Sequence, residues 1–237
     1  MMVEIPDVVL AVYAHPDDAD VACGGSLARW AKAGASVHLM VCTDGGKGTF
    51  DPDTKSKDLA ALRATELEES SALIGLRDVT NLGYPDGELV DSDELRRILV
   101  EAVRRIRPDV VCGHDPSAMF FGQEYFNHRD HRIAGTTLLD AVSPAAALPH
   151  YFPDAGPPHQ VATVLLSGTL EPDEWIDVSE TIDLKAAAVE CHRTQFADPD
   201  GVTGGWAGDA VRRRAEEEGR RAGVGFAEGF RRLTLRG

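Results

Sequence analysis

Two kinds of apolar segment alternate along the first half of the chain. Continuous apolar runs of strand length are each followed by a segment whose apolar residues recur at helical spacing. The strands predicted in this way are residues 7–14, 36–43, a short one within 79–87 and one at 109–113, and the helices are 21–33, 57–74 and 93–106. Strands that are apolar throughout are typical of a parallel sheet covered on both faces. The pattern therefore predicts an α/β fold, a Rossmann-like parallel sheet with helices on both faces.

The pattern is weaker in the second half of the chain. Residues 146–158 are rich in proline and predict a loop, and residues 198–209 predict another. The remaining elements are predicted strands at 160–168 and 175–179, a helix at 181–192, and a charged helix at 210–223 that ends the domain. The length suits one large domain, so we expect residues 1–237 to form a single domain.

Composition narrows the classes of partner. The chain carries 24 basic and 39 acidic residues, a net charge of −15. Such a charge disfavours nucleic acid and anionic membrane surfaces as partners. No apolar run reaches the length of a membrane helix. The four cysteines form neither a C-x-x-C pair nor a disulfide framework, so we expect the reducing cytoplasm.

A cluster of chemically active side chains follows the first predicted strand. His15, Asp17, Asp18 and Asp20 lie within six residues, at the carboxyl end of that strand. Folds of this class bind ligands at that edge of the sheet. Histidine and aspartate are both ligands that zinc accepts. The alternative is a helix start, with Asp18 or Asp20 as the N-cap residue and acidic charge favoured by the helix dipole.

A second cluster occurs in the segment FNHRDHR. His128 and His131 are three residues apart at the start of a predicted helix, which places both imidazoles on one face. Asp130 between them could orient one ring by a hydrogen bond. By itself the segment could also be two exposed histidines. Together the clusters offer two histidines and one carboxylate with a fourth position open to water, the ligand count of a catalytic zinc site.

Five segments in order resemble the LmbE-like, or PIG-L, family of zinc-dependent N-deacetylases. They are AHPDDADVACGGSLARW, TDGGKG, the helix with Arg63 and Glu66 that ends in LIGL, LGYPDGEL and NHRDHR. LKAAAVECHRTQ also resembles a family helix with lysine, histidine and glutamine. The resemblance covers residues 8–196 and implies an LmbE-like fold with a small-molecule N-acetyl sugar as substrate. Family members often form trimers or hexamers, so it also implies a homo-oligomer.

The resemblance implies a role for each position in the two clusters. His15, Asp18 and His131 would bind Zn²⁺, or another divalent metal in its place. Asp17 would be the general base that deprotonates the metal-bound water. His128 would steady the tetrahedral oxyanion or protonate the leaving amine.

Further positions take supporting roles by the same resemblance. Asp130 would hydrogen-bond to a metal ligand, Asp20 would support the turn, and Arg63 and Asp86 would hold substrate hydroxyls. The chain departs from the family pattern where Asp20 replaces glutamate and where Arg129 replaces proline. The thiol-precursor deacetylases of the family have tyrosine where this chain has Phe126, which disfavours that substrate class.

The predicted function is removal of an N-acetyl or N-acyl group from an amino sugar or sugar conjugate, such as a derivative of N-acetylglucosamine. Two other classes stay open from the residues alone. One is a metal hydrolase for another bond, such as a phosphoester. The other is a sugar- or metabolite-binding protein with a non-catalytic metal site. His114 and Asp115 end the fourth strand and are predicted at the rim of the site, and His192 is predicted at its wall.

Overall fold

A mostly parallel sheet forms the centre of the protein. The computed structural model describes residues 5–123, 125–196 and 205–235. Within these residues, seven strands form one sheet in the order β3-β2-β1-β4-β7-β9-β8. The first five in that order run parallel, and β9 runs antiparallel to both of its neighbours. The strands of the sheet are β1 Val8–Tyr13, β2 Ser36–Thr43, β3 Asp78–Tyr84, β4 Val110–His114, β7 Thr163–Ser167, β8 Glu174–Asp177 and β9 Ala227–Thr234.

Helices cover both faces of the sheet, as the sequence predicts. The helices are α1 Asp18–Lys32, α2 Ser56–Ile74, α3 Asp93–Ile106, α4 Arg129–Asp140, α5 Ile182–Cys191, the short α6 Arg193–Phe196 and α7 Trp206–Ala222, and a π-helical segment, Ala141–Ala146, follows α4. Trp30 of α1 and Leu67 of α2 belong to the apolar core on one face. Leu99 of α3 and Leu138 of α4 belong to the core on the other face. Burial on both faces explains why β1 is apolar throughout.

The end of the chain differs from its prediction. The charged helix does not end the domain, because β9 follows it and pairs with β7 and β8. This strand carries Glu228, Arg231 and Arg232, so it lacks the continuous apolar pattern of the parallel strands. Of the loop predicted at 198–209, residues 198–204 lie outside the described residues, and the rest belongs mostly to α7.

Glu228 of β9 stabilises the helix that follows the first cluster. Helix α1 is interrupted at Cys23, whose backbone is not helical. The Glu228 carboxylate accepts hydrogen bonds from the Gly25 and Ser26 backbone amides, at 3.0 and 2.8 Å, just beyond that break. It therefore satisfies free N–H groups at the start of the second half of α1. A side chain at Gly25 would place its Cβ only 2.9 Å from Val178, so this close approach requires glycine.

The two predicted clusters meet at the carboxyl edge of the sheet. His15 lies two residues beyond the end of β1, His114 ends β4, and a two-stranded hairpin then leads into α4. The hairpin strands are β5 Phe120–Phe121 and β6 Tyr125–Phe126. Helix α1 begins at Asp18, three residues before its predicted start, so Asp17 occupies the N-cap position but makes no capping hydrogen bond. The Asp17 carboxylate is therefore directed to other partners.

Candidate metal centre and active site

Three side chains from the two clusters converge on one point. His15 Nδ1 lies 3.1 Å from His131 Nε2 and 3.2 Å from Asp18 Oδ2. His131 Nε2 lies 3.1 Å from Asp18 Oδ1. Tetrahedral zinc with bond lengths of roughly 2.0–2.2 Å would separate neighbouring ligand atoms by roughly 3.3–3.6 Å. The donor types suit a metal ion, and the atoms lie slightly closer together than such an ion requires, with different Asp18 oxygens facing His15 and His131.

The local backbone turns Asp18 back toward His15. The backbone amide of His15 donates to Asp18 Oδ2 at 2.7 Å, which closes the turn around Pro16. Burial alone would raise the pKa of Asp18, but His131, His114 and His15 lower it well below its ordinary value. Burial likewise opposes protonation of His15, yet Asp18 and the neighbouring carboxylates raise the pKa of His15 well above its ordinary value. This pocket therefore favours positive charge.

Asp130 and Asp86 both contact the outer nitrogen of His15. Asp130 Oδ2 lies 3.5 Å from His15 Nε2 and accepts a hydrogen bond from the Gly87 amide at 2.7 Å. Asp86 Oδ1 lies 3.1 Å from the same nitrogen, and its Oδ2 accepts from the Lys47 amide. Carboxylates in this position fix the tautomer and orientation of a metal-binding histidine. The structure thus places Asp86, predicted to hold substrate, beside a candidate metal ligand.

Asn127 is a site residue that the sequence reasoning missed. Its Oδ1 lies 3.1 Å from His131 Nδ1, and its amide nitrogen donates to the Ala118 carbonyl at 2.8 Å. Since the amide nitrogen is thus engaged, Oδ1 accepts the proton of His131 Nδ1, and Nε2 is left to bind a metal. The only signal in the sequence is its place next to His128 in the segment NHRDHR.

His114 lies deeper than the predicted rim position. Its ring is buried and stacks on the ring of His131, with centroids 4.1 Å apart. Nε2 accepts a hydrogen bond from the Ala14 amide and lies 3.2 Å from Asp18 Oδ2. Burial lowers the pKa of His114 to about 4, so the ring is neutral at neutral pH. It therefore packs against two candidate ligands as an uncharged group.

Asp17 forms an ion pair with Arg63. Arg63 Nη2 donates to Asp17 Oδ1 at 2.6 Å, and its Nη1 donates to the Gly45 carbonyl at 2.9 Å. The guanidinium is buried, and a Cβ at Gly45 would lie only 2.6 Å from it. The structure thus places Arg63, predicted to contact substrate, where it fixes one oxygen of Asp17. Asp17 and Asp18 line the same cavity.

His128 occupies the start of α4, with its ring beside that of His15. The centroids of the two rings are 4.8 Å apart. His128 Nδ1 accepts a hydrogen bond from the Asp130 amide at 3.2 Å, as the N-cap of the helix. Partial burial and then the neighbouring His15 and His131 lower the pKa of His128. The neutral ring therefore carries its proton on Nε2.

Asp20 and His192 pair behind the site. Asp20 Oδ2 lies 2.7 Å from His192 Nε2, and both side chains are fully buried. The pair joins the first turn of α1 to the end of α5. The structure thus gives Asp20, predicted to support the turn, a partner at the end of α5 instead. His192 is behind α1 rather than among the residues that line the cavity.

An open cavity of about 870 Å³ covers this arrangement. Asp17, Asp18, His114 and His131 line one end of it. Two aromatic residues of the hairpin, Phe121 and Tyr125, also line it, and it extends along α7. The cavity thus brings together a candidate metal site, the Asp17 carboxylate outside the ligand set, and enough space for a small molecule. Within the part of the chain that the structure describes, no helix is long and apolar enough to cross a membrane.

Comparisons with known proteins identify relatives of this chain. Residues 10–142 match the family PIG-L, described as GlcNAc-PI de-N-acetylase. The chain is 33% identical to diacetylchitobiose deacetylase of Thermococcus kodakarensis over 94% of this chain and 82% of that protein. It is 28% identical to 1D-myo-inositol 2-acetamido-2-deoxy-alpha-D-glucopyranoside deacetylase of Rhodococcus jostii, over 79% of this chain and 81% of that protein. The solved structure of N,N'-diacetylchitobiose deacetylase from Pyrococcus horikoshii superposes with a TM-score of 0.86 at 31% identity, covering 97% of this chain and 84% of that one. The chain therefore belongs to the PIG-L, or LmbE-like, family, whose deacetylases are metal-dependent.

Proposed function

We propose that this protein is a zinc-dependent hydrolase that removes the N-acetyl group of an amino sugar or sugar conjugate. The proposal rests on one observation, that two adjacent carboxylates have different partners. Asp18 points at His15 and His131, whereas Asp17 points at Arg63, and both line one cavity. The deacetylase names of the relatives support the reaction, and their sugar substrates support the substrate class.

His15, Asp18 and His131 would hold the metal, and two histidines with one carboxylate form a donor set that suits zinc. When bound, such an ion polarises an amide carbonyl and lowers the pKa of water to about 7. Asp86, Asp130 and Asn127 contact the ring nitrogens that face away from the ion. The protein thereby fixes both imidazoles before any ligand arrives.

Asp17 accepts the proton of the attacking water in the proposed reaction. Its Oδ1 is engaged by Arg63, which fixes the carboxylate plane and leaves Oδ2 for the water. The water oxygen forms a bond with the amide carbon, and the carbonyl oxygen takes up negative charge. His128, with its proton on Nε2, donates a hydrogen bond to that oxygen. The carbon–nitrogen bond then breaks, the nitrogen takes the proton that Asp17 accepted from the water, and acetate and a free amine are the products.

The substrate class can be tested with the purified wild-type protein. Metal content is measured first, and acetate release is then followed on N-acetylglucosamine, diacetylchitobiose and a GlcNAc–inositol conjugate. An N-acetyl-lysine peptide and 4-nitrophenyl phosphate serve as controls for other amides and for phosphoesters. We expect zinc at one equivalent and acetate from at least one sugar. Zinc-loaded protein that releases acetate from no sugar would overturn the substrate class, and phosphate release would favour a different hydrolase.

We also propose the cytoplasm as the compartment. All four cysteines are free thiols, and Cys23, Cys42 and Cys112 are buried in the core. Unpaired buried thiols suit a reducing compartment. A homo-oligomer, trimer or hexamer, stays a prediction of the family resemblance and is measured by light scattering of the purified protein.

A further inference from the structure

The hairpin between β4 and α4 carries four aromatic side chains on two faces. In its antiparallel register Phe121 pairs with Tyr125, and Phe120 pairs with Phe126. Successive residues of a strand point to opposite faces, so the two pairs lie on opposite sides of the ribbon. Phe121 and Tyr125 line the cavity, whereas Phe120 and Phe126 do not and are each 67% exposed. One aromatic pair therefore lines the same cavity as Asp17, Asp18 and His131.

Hydrogen bonds tie this hairpin to the candidate metal site. The Asn127 amide donates to the Met119 carbonyl at 2.8 Å, which closes the base of the hairpin. The Asn127 side chain joins the Ala118 carbonyl to His131 Nδ1. One asparagine thus holds both a candidate metal ligand and the base of the hairpin. The hairpin that carries the cavity-facing aromatic pair is therefore connected to the candidate metal ligand His131.

The orientation of the two rings suits a ligand with an apolar face. The centroids of Phe121 and Tyr125 are 5.6 Å apart and the ring planes are tilted by 42°, so the rings do not stack on each other. Tyr125 is 51% exposed, which leaves much of its ring open to a ligand. A cross-strand aromatic pair stabilises a hairpin equally well on either face, so stability alone requires no aromatic pair on the cavity face. Here a second pair, Phe120 and Phe126, already occupies the outer face.

We propose that Phe121 and Tyr125 form a platform that packs against the C–H face of the sugar ring and selects cyclic amino sugars over acyclic N-acetyl amines. A pyranose ring carries hydroxyl groups at its rim and C–H groups on its faces, and aromatic side chains in ligand pockets bury such apolar surface. The charged groups around the metal site would recognise the amide. The platform rests on the proposed function, since it assigns a binding surface for the sugar of that same reaction.

The test compares the two faces of the same hairpin. Phe121→Ala and Tyr125→Ala remove the cavity-facing rings, and Phe120→Ala and Phe120→Leu are matched controls on the outer face. Tyr125→Phe separates the ring from its hydroxyl. Each variant is assayed with the best N-acetyl sugar and with N-acetylethanolamine, which has no ring, and its zinc content and oligomeric state are measured.

We expect the cavity-facing variants to raise KM for the sugar roughly five- to fiftyfold, with kcat within about threefold and zinc content unchanged. In the same variants the specificity constant for N-acetylethanolamine should stay within about twofold of wild type. Tyr125→Phe should bind the sugar nearly as well as wild type, because it keeps the ring. The control variants should match wild type with both substrates. If the cavity-facing variants match the controls, or if they weaken both substrates equally, the platform is wrong although the deacetylase remains. Wild-type protein that neither binds nor deacetylates any amino sugar overturns the proposed function and the platform together.

Discussion

Arg104 anchors the loop that follows α4, and its removal should destabilise the protein strongly. The side chain is only 2% exposed. Its five N–H groups lie 2.8–3.1 Å from six backbone carbonyls, so one N–H is shared; the carbonyls are those of Ala145, Ala146, Leu148, Tyr151, Phe152 and Gly156. A segment that the sequence shows only as proline-rich is thus organised around one buried cation. We predict that Arg104→Met will disrupt this loop.

The expected magnitude follows from the partners of those carbonyls. Three of the six also accept a backbone N–H, namely those of Ala146, Leu148 and Phe152. Arg104→Met therefore leaves up to three carbonyls without a partner, and each unsatisfied buried group costs roughly 1–3 kcal/mol. The total is limited because the loop can open and admit water. We expect the free energy of unfolding to fall by about 3–5 kcal/mol, and Arg104→Lys to lose about half as much because lysine has three donors.

Urea unfolding followed by far-UV circular dichroism measures this loss, and limited proteolysis locates it. We expect new cleavage between residues 145 and 156 in the variant. Arg105→Met is the matched control, since it removes the same charge from the exposed face of the same helix and should change stability by no more than about 0.5 kcal/mol. A loss below about 1 kcal/mol for Arg104→Met, or equal losses for both variants, would refute the reasoning.

Three further predictions follow from the contacts around the site. Asn127→Leu should weaken zinc binding by roughly 10–100-fold because it removes the acceptor for His131, and competition with a chromophoric chelator measures this affinity. Burial opposes protonation of His192, but Asp20 raises its pKa, so the stability from this pair is complete below the unfolded pKa of about 6.5 and is lost as pH rises through the folded pKa. The free energy of unfolding should therefore decline more steeply over that range in wild type than in His192→Gln, in which the raised pKa of His15 still contributes. Glu228→Gln should lower the free energy of unfolding, measured in urea titrations, by about 2–4 kcal/mol. The substitution removes a buried charge that accepts hydrogen bonds from α1 and pairs with the buried Lys185. A loss below about 0.5 kcal/mol would contradict this role of Glu228.

The sequence predicted the parts of this protein that depend on local patterns. Parallel strands covered on both faces must be apolar, so β1, β2 and β4 could be read directly, whereas β3 at the sheet edge is less buried and has a weaker pattern. His15 and Asp18 follow a strand, and His131 follows another, so a shared sheet edge brought them together. Long-range contacts carry no such pattern. The ion pair of Asp17 with Arg63 and the bond from Asn127 depend on how separate elements pack.

Strand β9, which the sequence pattern does not predict, shows the same limit of local patterns in the fold. Its sequence AEGFRRLT alternates charged and apolar residues imperfectly, because only part of the strand is buried. The prediction relied on strands and helices alternating in a parallel sheet. Strand β9 runs antiparallel to its neighbours, so it does not follow that alternation. Arg104 likewise looks like one of several charges on an amphipathic helix until the loop that covers it is placed.

The central claim is that Asp17 accepts a proton whereas Asp18 binds the metal, and Asp17→Asn tests it most directly. The substitution keeps the shape of the side chain but removes the proton acceptor, while Asp18 and both histidines are untouched. Zinc content and acetate release are measured on the same preparation of the variant, with Asp18→Asn alongside. We predict that Asp17→Asn keeps one equivalent of zinc and loses acetate release by at least roughly 100-fold, whereas Asp18→Asn loses zinc. An Asp17→Asn protein that loses its zinc, or one that keeps wild-type acetate release, would contradict the account.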